Sequence, residues 1–431
     1  MIIKRKLRAV AGAKGKKDIA ALYEEQKDKT FIYEYYHDTN CLIDIDEEPI
    51  NEINQEALEA VLQLSLLLKA KTVPKIKVMR KIVIDGSNIS GFQRTSLIAT
   101  NGKVKTSKGI IKIPTIYLEE EAAKKISSNE KEVTYRLDRL GVPLIEVSTS
   151  ADIKDPEHAM ETASTIGMIL RSVDLTKRGL GTIRQDVNVS IKSSPRIEIK
   201  GFQDLKSIPK IIEYEVKRLI NDPPKQPEVR KAEPNLSTSF LRPLPGEARF
   251  YPETDVKEII IDKKFISRIK IPELLAEKTI KLEKLYNLQP EIAEELVSDK
   301  INLEIYVKKY TRVSPHLMAN TIVTTPKEIR ARFHFEPKLK ESDFEFIFNN
   351  LNQGKIPKDA IIDILIELAK NKKPDLEKYA PISDRELEKI IEKIIVGNRD
   401  ASFNAVMGIA VSKIKNKAEG KKIAEIIKKF L

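Results

Sequence analysis

Apolar and polar residues alternate through four short stretches of the chain with the two-residue period of a β-strand. These are 79–95 (MRKIVIDGSNISGFQRT), 136–148 (RLDRLGVPLIEVS), 179–190 (GLGTIRQDVNVS) and 196–203 (RIEIKGFQ). Within 182–190, Thr182, Arg184, Asp186, Asn188 and Ser190 fall on one side, and Ile183, Val187 and Val189 on the other. Residues 192–195 have turn composition, after which Arg196, Glu198 and Lys200 alternate against Ile197 and Ile199. A hairpin is predicted to join these two polar faces. Charges of both signs on one strand face suit an active site; a solvated side of an antiparallel sheet is the competing reading. Glu146 favours the first, because it sits in the apolar run 142–147. An ionised carboxylate there is costly unless paired or metal-bound.

On a longer scale the pattern changes once. Up to about residue 262 it shows short strands and turn signals, interrupted by predicted helices at 54–69, 156–171 and 208–220, which reads as α+β. Residues 222–235 hold Pro223, Pro224, Pro227 and Pro234 among charged neighbours, so a linker or surface loop is expected. From 272 onward the spacing is helical, with predicted helices at 274–285, 291–297, 304–310 and 359–369. A connector at 370–381 precedes a last bundle that Ser383 caps. The division expected is a mostly antiparallel-sheet domain at 1–265, an all-α domain at 266–378 and a small helical tail at 379–431.

With 431 residues, 41% hydrophobic and 32% charged, the chain reads as soluble and globular, long enough for two to four domains. Its Lys, Glu and Ile content and lack of Trp suit a heat-adapted source. The longest apolar stretch, 60–68, is far shorter than the ~20 residues of a membrane crossing. Residues 1–17 lack the apolar core of a signal peptide, so no membrane partner and a cytoplasmic location are expected. Cys41 is the single cysteine, which excludes intrachain disulfides and thiolate zinc sites; its setting reads as a strand with a buried thiol. The four histidines show no metal-ligand spacing. The net charge of +12, concentrated in basic runs near both ends, points to a polyanionic partner, against the reading of solvated helix faces. Phosphate-binding loop, dinucleotide fingerprint and kinase catalytic loop are all missing, so a nucleotide site must be of another kind.

The segments 79–95, 137–150 (LDRLGVPLIEVSTS), 181–191 (GTIRQDVNVSI), 196–205 (RIEIKGFQDL) and 240–256 (FLRPLPGEARFYPETDV) resemble, in order and spacing, the E-type subunit family of archaeal glutamyl-tRNA(Gln) amidotransferases, related to the bacterial B type. The tail segment 401–408 (ASFNAVMG) resembles the helical tail domain of both. The resemblance implies a ligase whose sheet domain is a cradle. It phosphorylates the side chain of Glu on mischarged tRNA(Gln) with ATP and Mg²⁺, and ammonia then displaces the phosphate. It also implies that Glu146 and Glu198 are metal-site glutamates. On chemical grounds Asp186 and Lys200 join them as catalytic candidates, and Arg80, Lys81, Ser87, Arg184 and Asn188 as nucleotide-binding ones, since phosphoryl transfer needs cationic groups around its oxygens.

No Ser-Lys amidase signature, paired threonines or Cys-His pair is present, so ammonia must come from a separate amidohydrolase. The resemblance implies an asparaginase-like partner, the D type. Family members begin with a Gly-Leu-Glu-Ile-His strand and carry an insertion resembling part of aspartyl-tRNA synthetase; the match here starts after the first, and only 222–235 stands at the second. A separate N-terminal fragment is therefore an expected partner. The alternatives are a non-catalytic tRNA-binding relative and a scaffold with ordinary solvated strand faces.

Overall fold

The computed structural model describes all residues except 11–14, 180, 247–249, 399–400, 415–416, 419 and 431. Leu180 and residues 247–249 of the quoted motifs, with Lys14 and Lys415 of the basic ends, lie outside the described residues. Two compact units result, Met1–Leu274 and Leu275–Leu431. The fold is α+β, as the pattern predicted.

In chain order the first unit runs β1 (Ile2–Lys6), α1 (Ile19–Gln26), β2 (Thr30–Glu34), α2 (Gln55–Leu67), β3 (Lys71–Thr72), β4 (Lys75–Ile76), β5 (Val78–Ile82), β6 (Phe92–Thr106), β7 (Gly109–Glu120), β8 (Lys124–Ser128) and β9 (Glu132–Arg136). It continues with β10 (Pro143–Ser148), α3 (Pro156–Ser172), β11 (Val187–Val189), β12 (Ile197–Lys200), α4 (Ile208–Asn221), β13 (Glu228–Ala232), β14 (Thr238–Pro243), β15 (Phe250–Pro252), β16 (Ile259–Ile260) and α5 (Lys263–Ile266). The central sheet has the order β10-β7-β6-β5-β15, with β3 also pairing β6. Two four-stranded sheets accompany it, β1-β2-β9-β8 and β11-β12-β13-β14. Pairing is antiparallel except for β2 with β9 and β12 with β13.

Helices α2 and α3 pack on the central sheet because their apolar faces meet Ile98, Ile111, Ile113 and Ile116, all fully buried. Each such side chain contributes roughly 1.5–3 kcal/mol by leaving water. Asn54 starts α2 by accepting the Ala57 amide at 2.9 Å.

The second unit holds α6 (Leu275–Tyr286), α7 (Pro290–Ser298), α8 (Leu303–Lys309), α9 (Pro315–Phe333), α10 (Glu341–Asn352), α11 (Ile361–Ala369), α12 (Asp384–Val396), α13 (Phe403–Ile414) and α14 (Gly420–Phe430). Two apolar clusters separate α6–α11 from α12–α14, and Ser383 caps α12 as expected. Along α14, Ile423, Ile426 and Ile427 are buried while Lys422 and Lys429 pair with Asp384 and Glu388 of α12. Among the described residues no helix is long and apolar enough to cross a membrane.

Four expectations are corrected. Residues 222–235 are not a linker, since they contain β13, whose Val229 is fully buried between β12 and β14. Cys41 is exposed and precedes a short 3₁₀ turn, Leu42–Ile45, rather than lying in a strand. Strand β11 covers only Val187–Val189, so alternation does not orient Thr182 or Arg184. Helices α9 and α10 escaped the apolar-period reading; Thr321, Thr324, Thr325 and Pro326 break the period inside α9.

Charged residues are buried in β13 because they are paired. Glu215 of α4 takes Arg218 at 2.6 Å and the Thr238 hydroxyl at 2.6 Å, and Glu228 takes Arg218 and Arg230, both at 2.9 Å. A third anion, Glu253, follows β15 with a fully covered side chain. It receives Arg80 through Nε at 2.9 Å and an outer nitrogen at 2.6 Å, and Arg94 Nε at 3.1 Å. Burial pushes the Glu253 carboxyl up, but hydrogen bonds from Arg80, the Asp255 amide and Arg94 outweigh it and hold it below the ordinary 4.5. Its stabilisation is therefore in place above pH 4.5 and disappears as the pH falls through the lower folded value. In denaturant unfolding at neutral pH, Glu253→Gln is expected to cost about 3 kcal/mol, because two guanidinium groups lose their anion. The gap between wild type and variant should hold down to about pH 5 and close on further acidification; a gap independent of pH would contradict this account.

Candidate active site

Successive residues of β5 point to opposite sides of the sheet, so Arg80 and Lys81, both nucleotide-binding candidates, stand on different faces. Arg80 lies with Arg94, Glu253 and Glu120 on one face; Arg80 and Arg94 both stand over the Phe92 ring, at 4.8 and 5.2 Å. Lys81 lies on the other face, where the register Lys81↔Gln93, Thr95↔Glu119 and Tyr117↔Glu146 lines up groups from β5, β6, β7 and β10.

On that face Lys81 Nζ is 2.8 Å from Glu119 Oε1 and 3.5 Å from Glu146 Oε2. Gln93 Nε2 and Thr95 Oγ1 each donate to the Glu119 carboxylate at 3.1 Å. Burial, and then the charge of Glu146, raise the Glu119 pKa even though Lys81 pulls it down. Burial would lower Lys81, but the charges of Glu119 and Glu146 prevail, so its pKa stands above 10.5. The desolvation expected of Glu146 falls on Glu119 instead. The side chain of Glu146 is 42% exposed on the outer strand β10, whereas that of Glu119 is 3% exposed.

The β11–β12 hairpin forms as predicted, with Asn188 opposite Glu198. Lys200 Nζ sits 2.6 Å from Asp186 Oδ2 and 2.7 Å from Glu198 Oε1. Here too burial lowers the lysine pKa and the two carboxylates more than restore it. Asn188 is exposed beside them. Arg184 reaches back to Glu121, just after β7, with one nitrogen 2.7 Å from each carboxylate oxygen, and Arg139 Nε is 3.7 Å from the same group. The loop carrying Asp186 is thereby tied to the end of the central sheet.

Ser87 occupies the turn between β5 and β6. Gly86 has φ of +74° and a Cβ there would lie 2.5 Å from the Phe31 ring, so only glycine fits. The Tyr33 hydroxyl donates to the Gly86 carbonyl at 2.6 Å and the Tyr135 hydroxyl to the Asp85 carbonyl at 3.1 Å. Ser87 itself is buried and gives its hydroxyl to Asp85 at 2.6 Å.

The predicted residues thus gather in two places, Glu146 with Lys81, and Asp186, Glu198 and Lys200 together. Each glutamate predicted as a metal ligand is matched by its own lysine, and no hydrogen bond or ion pair among the described residues joins Glu146 to Glu198. Nor does any group of three or more His, Cys, Asp or Glu that could hold a metal occur among them. Glu119, Glu121, Glu253, Gln93 and Thr95 were not predicted. The signal for two of them was present, since 119–121 is a triplet of glutamates at the end of a long alternating strand, which puts Glu119 and Glu121 on one face and Glu120 on the other.

Residues 28–267 match the family described as the GatB/GatE catalytic domain. The chain is 33% identical to the E-type subunit of glutamyl-tRNA(Gln) amidotransferase from Methanocaldococcus jannaschii, with 100% of this chain and 93% of that protein covered. It is 32% identical to the corresponding protein of Saccharolobus solfataricus, at 100% and 93% coverage, and to that of Thermococcus gammatolerans, at 99% and 92%. The first alignment extends over 585 positions although this chain has 431 residues, so that relative contains long stretches with no counterpart here. Agreement along essentially the whole chain, together with a family match over more than half of it, makes this chain a member of the E-type (GatE) family of glutamyl-tRNA(Gln) amidotransferase subunits, the tRNA-dependent amidotransferases of protein biosynthesis.

Proposed function

We propose that this chain activates the side-chain carboxylate of Glu on tRNA(Gln) with ATP and converts it to the amide with ammonia from a separate amidohydrolase subunit. The observation that supports this most is the Lys81–Glu119–Glu146 group, two carboxylates and a cation held on one sheet face. A carboxylate has no adequate leaving group. Its oxygen therefore attacks the γ-phosphorus of ATP, releasing ADP; ammonia then bonds to the acyl carbon as the carbon–oxygen bond to phosphate breaks.

Lys81 and Lys200 are the cations suited to the phosphoryl oxygens, and Arg184 becomes a third by exchanging Glu121 for phosphate. Arg80 has no part in this reading, since it faces Glu253. Glu119, Glu146, Asp186 and Glu198 offer the hard oxygen ligands that Mg²⁺ prefers. That ion is commonly held through one or two carboxylates plus substrate phosphates, which suits a site without a closed cage of acidic groups. When bound it supplies neutralisation of phosphate charge. By residue range, we read 1–265 as the cradle that does the chemistry, and 266–378 and 379–431 as helical parts that grip the tRNA. An asparaginase-like D-type partner is the ammonia source we infer.

The test combines the full chain with the amidohydrolase partner, Glu-tRNA(Gln), ATP and Mg²⁺, and follows Gln-tRNA(Gln). Glu119→Gln, Glu146→Gln and Glu198→Gln should each lower the rate by about 10²–10³ with the fold retained. An unchanged rate in Glu146→Gln would sink the site. Chelating Mg²⁺ should stop Gln-tRNA(Gln) formation while glutamine hydrolysis by the partner continues. Binding of tRNA without amidation under any of these conditions would instead favour a non-catalytic tRNA-binding protein.

A further inference from the structure

The register of the β11–β14 sheet sets one row of side chains across all four strands: Asn188 pairs with Glu198, Glu198 with Val229, and Val229 with Arg242. Directly paired residues share a face, so Arg242 of β14 lies on the face that carries Glu198 and Lys200. In the next row, Lys200, Lys231 and Ser239, every charge is matched. Lys200 stands between Asp186 and Glu198, while Glu233 takes Lys231 at 3.1 Å and the Ser239 hydroxyl at 2.6 Å. The arginines packed on the opposite face, Arg218 and Arg230, are held by Glu215 and Glu228. Arg242 differs. Its Nη1 is covered from water, yet it has no hydrogen-bond partner among the described residues. A guanidinium nitrogen deprived of water and left unpaired is costly, and an anion from outside the chain removes that cost by bringing acceptor oxygens.

We propose that Arg242 binds a phosphate of the substrate RNA, the one on the terminal nucleotide to which Glu is esterified. The inference rests on the function proposed above and adds a substrate contact to it. Three features select this occupant. The planar fork of a guanidinium matches two oxygens of a phosphodiester and keeps its charge at any working pH. Arg242 stands two strands from Glu198, about 10 Å. That places it off the phosphoryl-transfer centre, at the kind of distance that divides the side-chain carboxyl of an esterified Glu from the 5′-phosphate of its nucleotide. The glutamyl carboxylate itself is a poorer occupant, because a fork gripping both its oxygens would weaken it as the nucleophile toward phosphorus. The net charge of +12 also favours a polyanion as the source.

Amidation by the full chain with its amidohydrolase partner tests this in Arg242→Met, which keeps much of the apolar stem, and Arg242→Lys, which keeps the charge without the fork. Arg242→Met should raise KM for Glu-tRNA(Gln) about 10- to 100-fold and leave kcat and the KM for ATP within about twofold; Arg242→Lys should fall between it and wild type. Two minimal substrates read the phosphate itself, 3′-O-glutamyl adenosine and the same ester carrying a 5′-phosphate. Wild type should favour the phosphorylated ester by about 10-fold or more in kcat/KM, and Arg242→Met should use both equally well. Thermal unfolding separates a structural role, because a cation without an internal partner can be removed with no fall in Tm. A lowered Tm with unchanged KM values would make Arg242 structural and overturn the proposal. A raised KM for ATP in place of that for Glu-tRNA(Gln) would give the phosphate to the nucleotide and overturn it too. If wild type amidates Glu-tRNA(Gln) and both variants match it, this contact falls and the proposed function stands; if wild type amidates none, the function falls and the contact with it.

Discussion

A carboxylate that is almost wholly buried, Glu119, stands near the end of β7 in the six-stranded sheet and is held there by Lys81 of β5 and by Gln93 and Thr95 of β6. Leaving such a group without partners costs several kcal/mol. Its partners meet it only when β5, β6 and β7 stand in one register, because a slip by a single residue sends every side chain to the opposite face. Correct strand pairing and an assembled charged cluster are thus one condition. Glu146 joins from β10 on the same terms, being opposite Tyr117, two residues from Glu119.

The pleat also separates charges that the sequence writes side by side. Arg80 and Lys81 are neighbours, yet one neutralises Glu253 on one face and the other lies between Glu119 and Glu146 on the opposite face. The two faces have different work. Around Glu253 all charge is used internally, with two guanidinium groups over one phenyl ring. Around Glu119 a lysine and a half-exposed carboxylate remain open to a ligand. A half-open charged cluster and a structural ion network are obtained from the same strands without competing for the same side chains.

Asp186, Glu198 and Lys200 form a compact ion group of their own on a hairpin whose neighbour β13 is anchored through Glu228 and Arg230 to α4. The Arg184–Glu121 pair ties this hairpin to the central sheet, and the side chain of Arg184 is half exposed. The Glu121 side chain is only 14% exposed and has Arg139 as a second partner, so the pair is anchored on its carboxylate side.

Residue order alone was enough to read the strand alternation at 79–82, 143–148 and 197–200, the hairpin that sets Glu198 against Asn188, most of the helical second half and the family to which the chain belongs. These are local or ordered patterns, carried by side-chain period, turn residues and motif order. It took the folded chain to reveal that Glu119 rather than Glu146 is the buried acid, that Arg80 is turned away from Lys81, and that a Pro- and charge-rich stretch supplies β13. The physical reason is the same in each case. Burial and pairing of charge depend on which strand lies alongside, and that neighbour is brought up by register and crossover from tens of residues away, as Glu253 is to Arg80.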